Sequence, residues 1–320
     1  VQVIDRPLPE LGVLVERLTA VLRQPHPVEV VTRTPQLTGS FPKEVVHCRL
    51  HDGQELKLFC KYSAPRFEAF GHRRGIAYEA AIYERVLGVS GLSAPTPAGW
   101  FQNGETGEAW LMIGYLEGGC RSTDRWSELD MVARWLGDFH RLHEGAESED
   151  RLAFLIRYDG EYYKGWSART AAFAQHLPEP RPWLPWLCHA FDSRVSQLLE
   201  SPQTVVHGEY TVHNVMMLGP HVYPVDWESA AIGFGEIDLA CLLDNCTGEV
   251  VEKCTRAYAK ARWPAGTPDD LPARLLSAEI YLHLRWLGEE PAQMATADGK
   301  RRLERLHAIA VDLGLAEARS

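Results

Sequence analysis

The hydrophobic pattern of this 320-residue chain shifts from mainly strand-like to mainly helical near residue 120, and that shift limits the architectures open to it. The first hundred-odd residues read as strands with one helix, and 55–62 alternates apolar and polar residues as a strand with one buried face requires. "VEVVTRT" (28–34), "EVVHCRL" (44–50) and "ELKLFCKY" (55–62) read as strands, and the turn signal "HDG" (51–53) joins the last two. On the third, Leu56, Leu58 and Cys60 share one face and Lys57, Phe59 and Lys61 the other. One helix is expected in this half, in "RRGIAYEAAIYERVLG", where Ile76, Ala80, Tyr83 and Leu87 recur at helical steps before a stop at Gly88. Glu79 lies beside those core positions and not among them. A second hairpin around "QNGETGE" (102–108) leads into "AWLMIGYLEGG" (109–119), whose glycine-containing end marks a lobe boundary.

Beyond residue 120 the spacing becomes helical. In "SELDMVARWLGDFHRLH" a stripe of Leu129, Val132, Trp135, Leu136, Phe139 and Leu142 forms one face, with Ser127 as N-cap. Helical patterns return at 187–199, 249–262, 272–287 and 299–313, with short strands and loops over 204–234. The expectation is an α+β, bilobal chain: a β-rich lobe at 1–113 and a mainly helical lobe at 114–320, with an aromatic-rich insertion at about 144–190.

A net charge of -10 argues against a general nucleic-acid binder, because no basic surplus exists to displace phosphate counterions. A small-molecule partner fits better. Seven cysteines without a C-x-x-C pair read as scattered core thiols in a reducing compartment. "VQVIDRPLPE" has no basic flank before an apolar run, and no stretch of about 18 apolar residues occurs. A cytoplasmic protein without a membrane span is expected. The P-loop, H-E-x-x-H, G-x-S-x-G and dinucleotide glycine patterns are all missing from the sequence.

Four features follow one another in an order that suits phosphoryl transfer. Lys61 ends a strand, Glu79 sits on the next helix, "HGEYTVHN" spans 207–214, and Asp226 follows Asn214 by twelve residues. A lysine held by a glutamate steadies nucleotide phosphates, two oxygen ligands hold Mg²⁺, and a carboxylate orients the attacking hydroxyl. Taken singly, Lys61 reads as a solvated strand lysine and Glu79 as a surface helix residue, whereas Asp226 inside an apolar strand wants a partner or a metal. His140 and His143 are spaced to share a metal, but their helix is an amphipathic core helix without a third ligand, so they read as core histidines.

With these motifs the chain resembles the aminoglycoside phosphotransferase and choline kinase-type family of small-molecule kinases, over about residues 30 to 290. The resemblance is most specific in "VVHGEYTVHNVMM" and "VYPVDWESAAIGFGEIDLACLL". It implies a protein-kinase-like fold, Asn214 and Asp226 as Mg²⁺ ligands, and Lys61 with Glu79 as the phosphate-positioning ion pair. It further implies a phosphate-covering hairpin in "LTGSFPKEV" with Gly39 and Ser40 at its tip, and adenine contacts from the backbone around Gly114 to Leu116. Asp238 would anchor the catalytic loop or cap a helix, Glu228 would be a supporting carboxylate or assist a second metal, and His207 would support the loop. The donor implied is ATP or GTP. The acceptor implied is a hydroxyl of an amino sugar, antibiotic or amino alcohol, cationic or glycosylated.

This sequence departs from the family at Glu209, where the family has Asp. Glu carries the same headgroup one methylene further out, so the change is a matter of reach and not of chemistry. An active phosphotransferase with Glu209 as base or orienting group is expected; the alternative is a kinase-like protein that binds nucleotide without transfer. For the acceptor, "RYDGEYYKGW" (157–166) offers Tyr158, Tyr162, Tyr163 and Trp166 beside Asp159 and Glu161, unless these aromatics simply pack the insertion. A protein-kinase reading is disfavoured, since no Ala-Pro-Glu follows Asp226.

Overall fold

Alternation in the first half and helical spacing in the second both translate directly into the computed structural model, which describes residues 8–37, 41–63, 72–146 and 148–317. Helix α1 (Leu11–Val21) precedes strands β1 (Glu29–Pro35), β2 (Lys43–Arg49) and β3 (Glu55–Tyr62). Helix α2 (Ile76–Ile82) then leads to β4 (Pro97–Gln102) and β5 (Ala109–Gly114), followed by a short β6 (Cys120–Arg121). Helices α3 (Leu129–His143), α4 (Gly160–Ala174), α5 (Trp183–Asp192) and α6 (Val195–Glu200) come next. Short strands β7 (Gln203–Val206), β8 (Val215–Leu218), β9 (His221–Pro224) and β10 (Ala231–Phe234) precede α7 (Glu236–Leu243), α8 (Gly248–Arg262), α9 (Leu271–Leu287) and α10 (Ala297–Asp312). The architecture is α+β. Among the described residues no helix is long and apolar enough to cross a membrane.

The chain forms two compact units, one of residues up to Asp124 with His213–Ser229, the other of Arg125–Val212 with the residues from Ala230 onward. A boundary drawn at residues 113 and 114 leaves 213–229 with the helical half. In the structure β8 pairs with β6 and with β9, and this three-stranded sheet ties the segment to the first unit.

In the first unit an antiparallel sheet runs in the order β1-β2-β3-β5-β4. Leu58 and Cys60 of β3 face one side with Val46 and Cys48 of β2, and helix α1 covers them with Leu14 and Leu18. That helix is additional to the single one expected here, and its buried leucines are spaced i, i+4. The helix over Ile76 to Leu87 is regular only to Ile82 and then widens into a π-turn at Tyr83–Leu87.

In the second unit α3 buries Leu129, Val132, Trp135, Leu136 and Phe139, as the stripe predicts, but Leu142 is 47% exposed. At about 100° per residue, His140 and His143 continue the stripe and Leu142 falls to its edge. Both histidines are buried: His140 bonds to Asp238 and Tyr258, and His143 Nδ1 to the Phe139 carbonyl. Ser127 does not cap the helix; a 3₁₀ turn, Trp126–Glu128, precedes it and no side chain caps it. A β-carbon at Gly137 would come within 2.5 Å of the Tyr258 carbonyl, so the close approach of α3 and α8 depends on this glycine.

Candidate active site

Lys61 ends an interior strand, opposite Lys43 of β2 and Leu111 of β5, and this position leaves it only 5% exposed. A buried ammonium needs partners. Its Nζ donates to Glu79 Oε2 at 2.6 Å and to Asp226 Oδ1 at 2.5 Å, with Glu228 Oε2 at 3.9 Å. Burial works against the charge, but the carboxylates of Asp226, Glu79 and Glu228 outweigh it and raise the lysine pKa. Lys61 is therefore not a solvated strand lysine. Nor is Glu79 a surface residue beside the core: it is 2% exposed and its second oxygen accepts the Trp227 N–H at 3.3 Å. The cation on the neighbouring strand is what lets a carboxylate occupy that inward turn of α2.

Asn214 and Asp226 flank the open end of the β8–β9 hairpin. Val215 pairs with Pro224, and one step outward the Val225 N–H donates to the Asn214 carbonyl at 2.9 Å. Asp226 lies beyond the strand and not inside it. Its φ of 72° is left-handed, a region Asp tolerates better than most residues, and its side chain is 39% exposed. Glu228 is buried, 3.7 Å from Arg73 Nε as well as near Lys61. Lys43, unremarked in the sequence, shares this surroundings: burial lowers its pKa while Asp226 raises it.

In the second unit the segment after β7 is pinned residue by residue. The Asp238 carboxylate, in the first turn of α7, accepts the N–H groups of His207 at 2.6 Å and Gly208 at 2.9 Å, with His140 Nε2 at 3.2 Å. Asp238 thus anchors the loop; α7 begins at Glu236, so it is not the N-cap. Burial lifts the Asp238 pKa to about 6, against the pull of His207 and the two backbone donors. Burial likewise holds His140 well below the ordinary histidine value. Gly208 takes φ of 82°, which suits glycine, and the Glu209 N–H donates to His207 Nδ1 at 3.3 Å. Tyr210 closes the loop by donating its hydroxyl to the Val132 carbonyl at 3.1 Å.

The Glu209 side chain is 12% exposed, and its Oε1 accepts a hydrogen bond from Nη2 of Arg285 on α9, which is 1% exposed. Sequence reading passed over Arg285. Its signal was an arginine inside the apolar run "IYLHLRWL", where a buried cation demands an acid elsewhere in the chain.

The aromatics of 157–166 pack. Tyr158, Tyr163 and Trp166 are buried, Tyr158 stacks on Tyr162 at 3.9 Å, and the Tyr162 and Tyr281 hydroxyls are 2.8 Å apart. Asp159 caps α4 through the Tyr162 N–H, and Glu161 is exposed. At the end of β5 the Gly114 N–H donates to the Thr96 carbonyl, and Leu116 follows with its carbonyl accepting from Gly119. Gly39 and Ser40 lie outside the described residues.

A sequence profile of the phosphotransferase enzyme family (APH) matches residues 46–276. The chain belongs to this family. Lys61, Glu79, Glu209, Asn214, Asp226 and Asp238 of this phosphotransferase all fall within the matched span, whereas Arg285 lies beyond it. No curated protein sequence matches the chain significantly. Among solved structures, choline kinase LicA from Streptococcus pneumoniae shares 15% identity at a TM-score of 0.61, covering 94% of this chain and 98% of its own. Wild-type aminoglycoside 2'-phosphotransferase-IIIa shares 12% at 0.63, covering 95% and 99%. Amicoumacin kinase hAmiN shares 14% at 0.59, covering 95% and 94%. At these identities the likeness is one of fold.

Proposed function

We propose that this phosphotransferase moves the γ-phosphoryl group of ATP or GTP to a hydroxyl of a small acceptor: an amino sugar, antibiotic or amino alcohol. The observation that carries the reading is the meeting of Lys61, Glu79 and Asp226, with Lys61 and Asp226 165 positions apart, in the combination phosphoryl transfer needs. Lys61, held by Glu79, positions the nucleotide phosphates. Gly39, Ser40 and the backbone from Gly114 to Leu116 complete the nucleotide contacts. Asn214 and Asp226 offer hard oxygen donors at the end of one hairpin, a set that suits Mg²⁺, which keeps water and phosphate oxygens as its other ligands. When bound, the ion neutralises charge on the phosphates.

Glu209 orients the acceptor hydroxyl. The hydroxyl oxygen bonds to the γ-phosphorus, the bond from that phosphorus to the bridging oxygen breaks, the nucleoside diphosphate leaves, and the hydroxyl proton passes to Glu209. Nucleotide donors are supported by the hAmiN structure, in complex with AMP-PNP, Ca²⁺ and Ami, and by the GDP complex of aminoglycoside 2'-phosphotransferase-IIIa. These relatives are named for different acceptors, so the test spans them. The protein is incubated with ATP or GTP and Mg²⁺ against choline, ethanolamine, aminoglycosides, macrolides and amicoumacin. One acceptor is expected to consume nucleotide and gain the mass of one phosphoryl group. Nucleotide binding without product across the panel favours the second reading, a kinase-like binder, for which the engagement of Glu209 by Arg285 is the supporting observation.

A further inference from the structure

We infer that Arg285 is the positioning residue for Glu209, and that this ion pair is what allows a glutamate to serve where the family resemblance leads one to expect an aspartate. The inference rests on the proposed role of Glu209. Its starting point is where freedom remains in the loop. The backbone from His207 to Tyr210 is tied down by Asp238, by the His207 ring and by the Val132 carbonyl. The Glu209 side chain has one more rotatable bond than Asp, and so more ways to place its carboxylate. A carboxylate misplaced by about 1 Å costs on the order of 100-fold in rate, so an unrestrained Glu is a poor base.

Arg285 supplies the restraint from 76 residues away. Its setting is costly for a cation: Ile280, Leu282, Leu284 and Leu287 of the same helix are buried, and its guanidinium stacks over Trp286 at 4.3 Å from the ring centroid. Its Nε and Nη1 make no hydrogen bond, so Nη2 to Glu209 is the directed contact of the group. A leucine or methionine would pack here at less cost, and buried ion pairs seldom add net stability, so the economical account of the arginine is what it does to its partner. The partner is the accessible member. Glu209 keeps 12% exposure against 1% for Arg285, so an acceptor can reach the acid while the cation stays behind it. An Asp on the same backbone would end about 1.5 Å short of this arginine. The other groups acting on Arg285 are Glu289, Tyr281 and Tyr162, and Cys241 of α7 senses both members of the pair.

The test uses the full chain with ¹³C-labelled glutamate, reading the Glu209 carboxyl by NMR and assigning it by its loss in the double variant Glu209→Gln, Arg285→Met. In Arg285→Met the Glu209 titration midpoint is expected to rise by about one pH unit or more. Phosphate release from MgATP with water as acceptor is expected to fall about 100-fold, its acid limb moving up with the midpoint while the KM for MgATP stays put. Arg285→Lys, which keeps the charge and serves if the methionine variant fails to fold, restores the midpoint but not the full rate. An unchanged midpoint overturns the inference, and so does a moved midpoint with unchanged turnover and acid limb. Wild-type turnover in Glu209→Gln would instead overturn the role of Glu209, and the midpoint would still report on the pair.

Discussion

Asp226 and Glu209 each lean on a buried cation, but the two cations differ in what else they hold. Lys61 touches Asp226 and Glu79 and lies near Glu228, so it can release Asp226 and still keep a partner. Arg285 directs its hydrogen bond to Glu209 while its Nε and Nη1 make none, so releasing Glu209 would cost it its directed contact. Exposure follows the same division, 39% for the Asp226 side chain and 12% for Glu209. The first pairing is exchangeable, as suits the role proposed for Asp226. The second is permanent, as suits a group whose task is to stay in one place.

The largest effect expected is on activity. Asp226→Ala abolishes transfer in the product-mass assay while the unfolding free energy changes by no more than about 1 kcal/mol, because Glu79 still neutralises Lys61. Glu209→Gln also stops turnover, but it removes the carboxylate charge that balances the buried Arg285 and lowers stability by about 3–5 kcal/mol in denaturant titration. Adding Arg285→Met should recover most of that loss. Comparable destabilisation by Asp226→Ala and Glu209→Gln would erase the distinction between an exchangeable and a permanent pair.

A smaller effect sharpens the first half of the comparison. Lys43 stands opposite Lys61 and feels Asp226, so its charge should help receive the phosphates. Lys43→Met is expected to raise the KM for nucleotide about 10-fold with kcat retained, the loss of about one charge-assisted contact. A changed kcat at constant KM would place Lys43 elsewhere in the mechanism.

The smallest effect concerns the anchor beneath Glu209. Asp238 has its pKa raised from 3.8 to about 6 in the folded protein. The folded state therefore binds more protons than the unfolded state between these values, and the Asp238 contribution to stability falls as pH rises through that window. Above about pH 6 it is level. In Asp238→Asn this slope disappears, so the stability of the variant relative to wild type should improve from about pH 4 to about pH 6 in parallel denaturant titrations. Parallel curves would mean that Asp238 titrates alike in both states.

Local pattern alone determined a good deal. Strand-like runs and turn signals placed β2, β3 and β5, helical spacing placed α3, α8 and α9, and the order Lys61, Glu79, Asn214, Asp226 pointed to phosphoryl transfer, because these signals depend on residues near in sequence. Tertiary structure decided the rest. It buried Glu79 against Lys61, moved Asp226 out of the strand into a half-exposed left-handed turn, joined 213–229 to the first unit and turned the insertion aromatics inward. Above all it brought Arg285 to Glu209 across 76 residues. A charge is legible in a sequence, but its partner is set by long-range packing, and the partner decides whether the charge is solvated, exchanged or held.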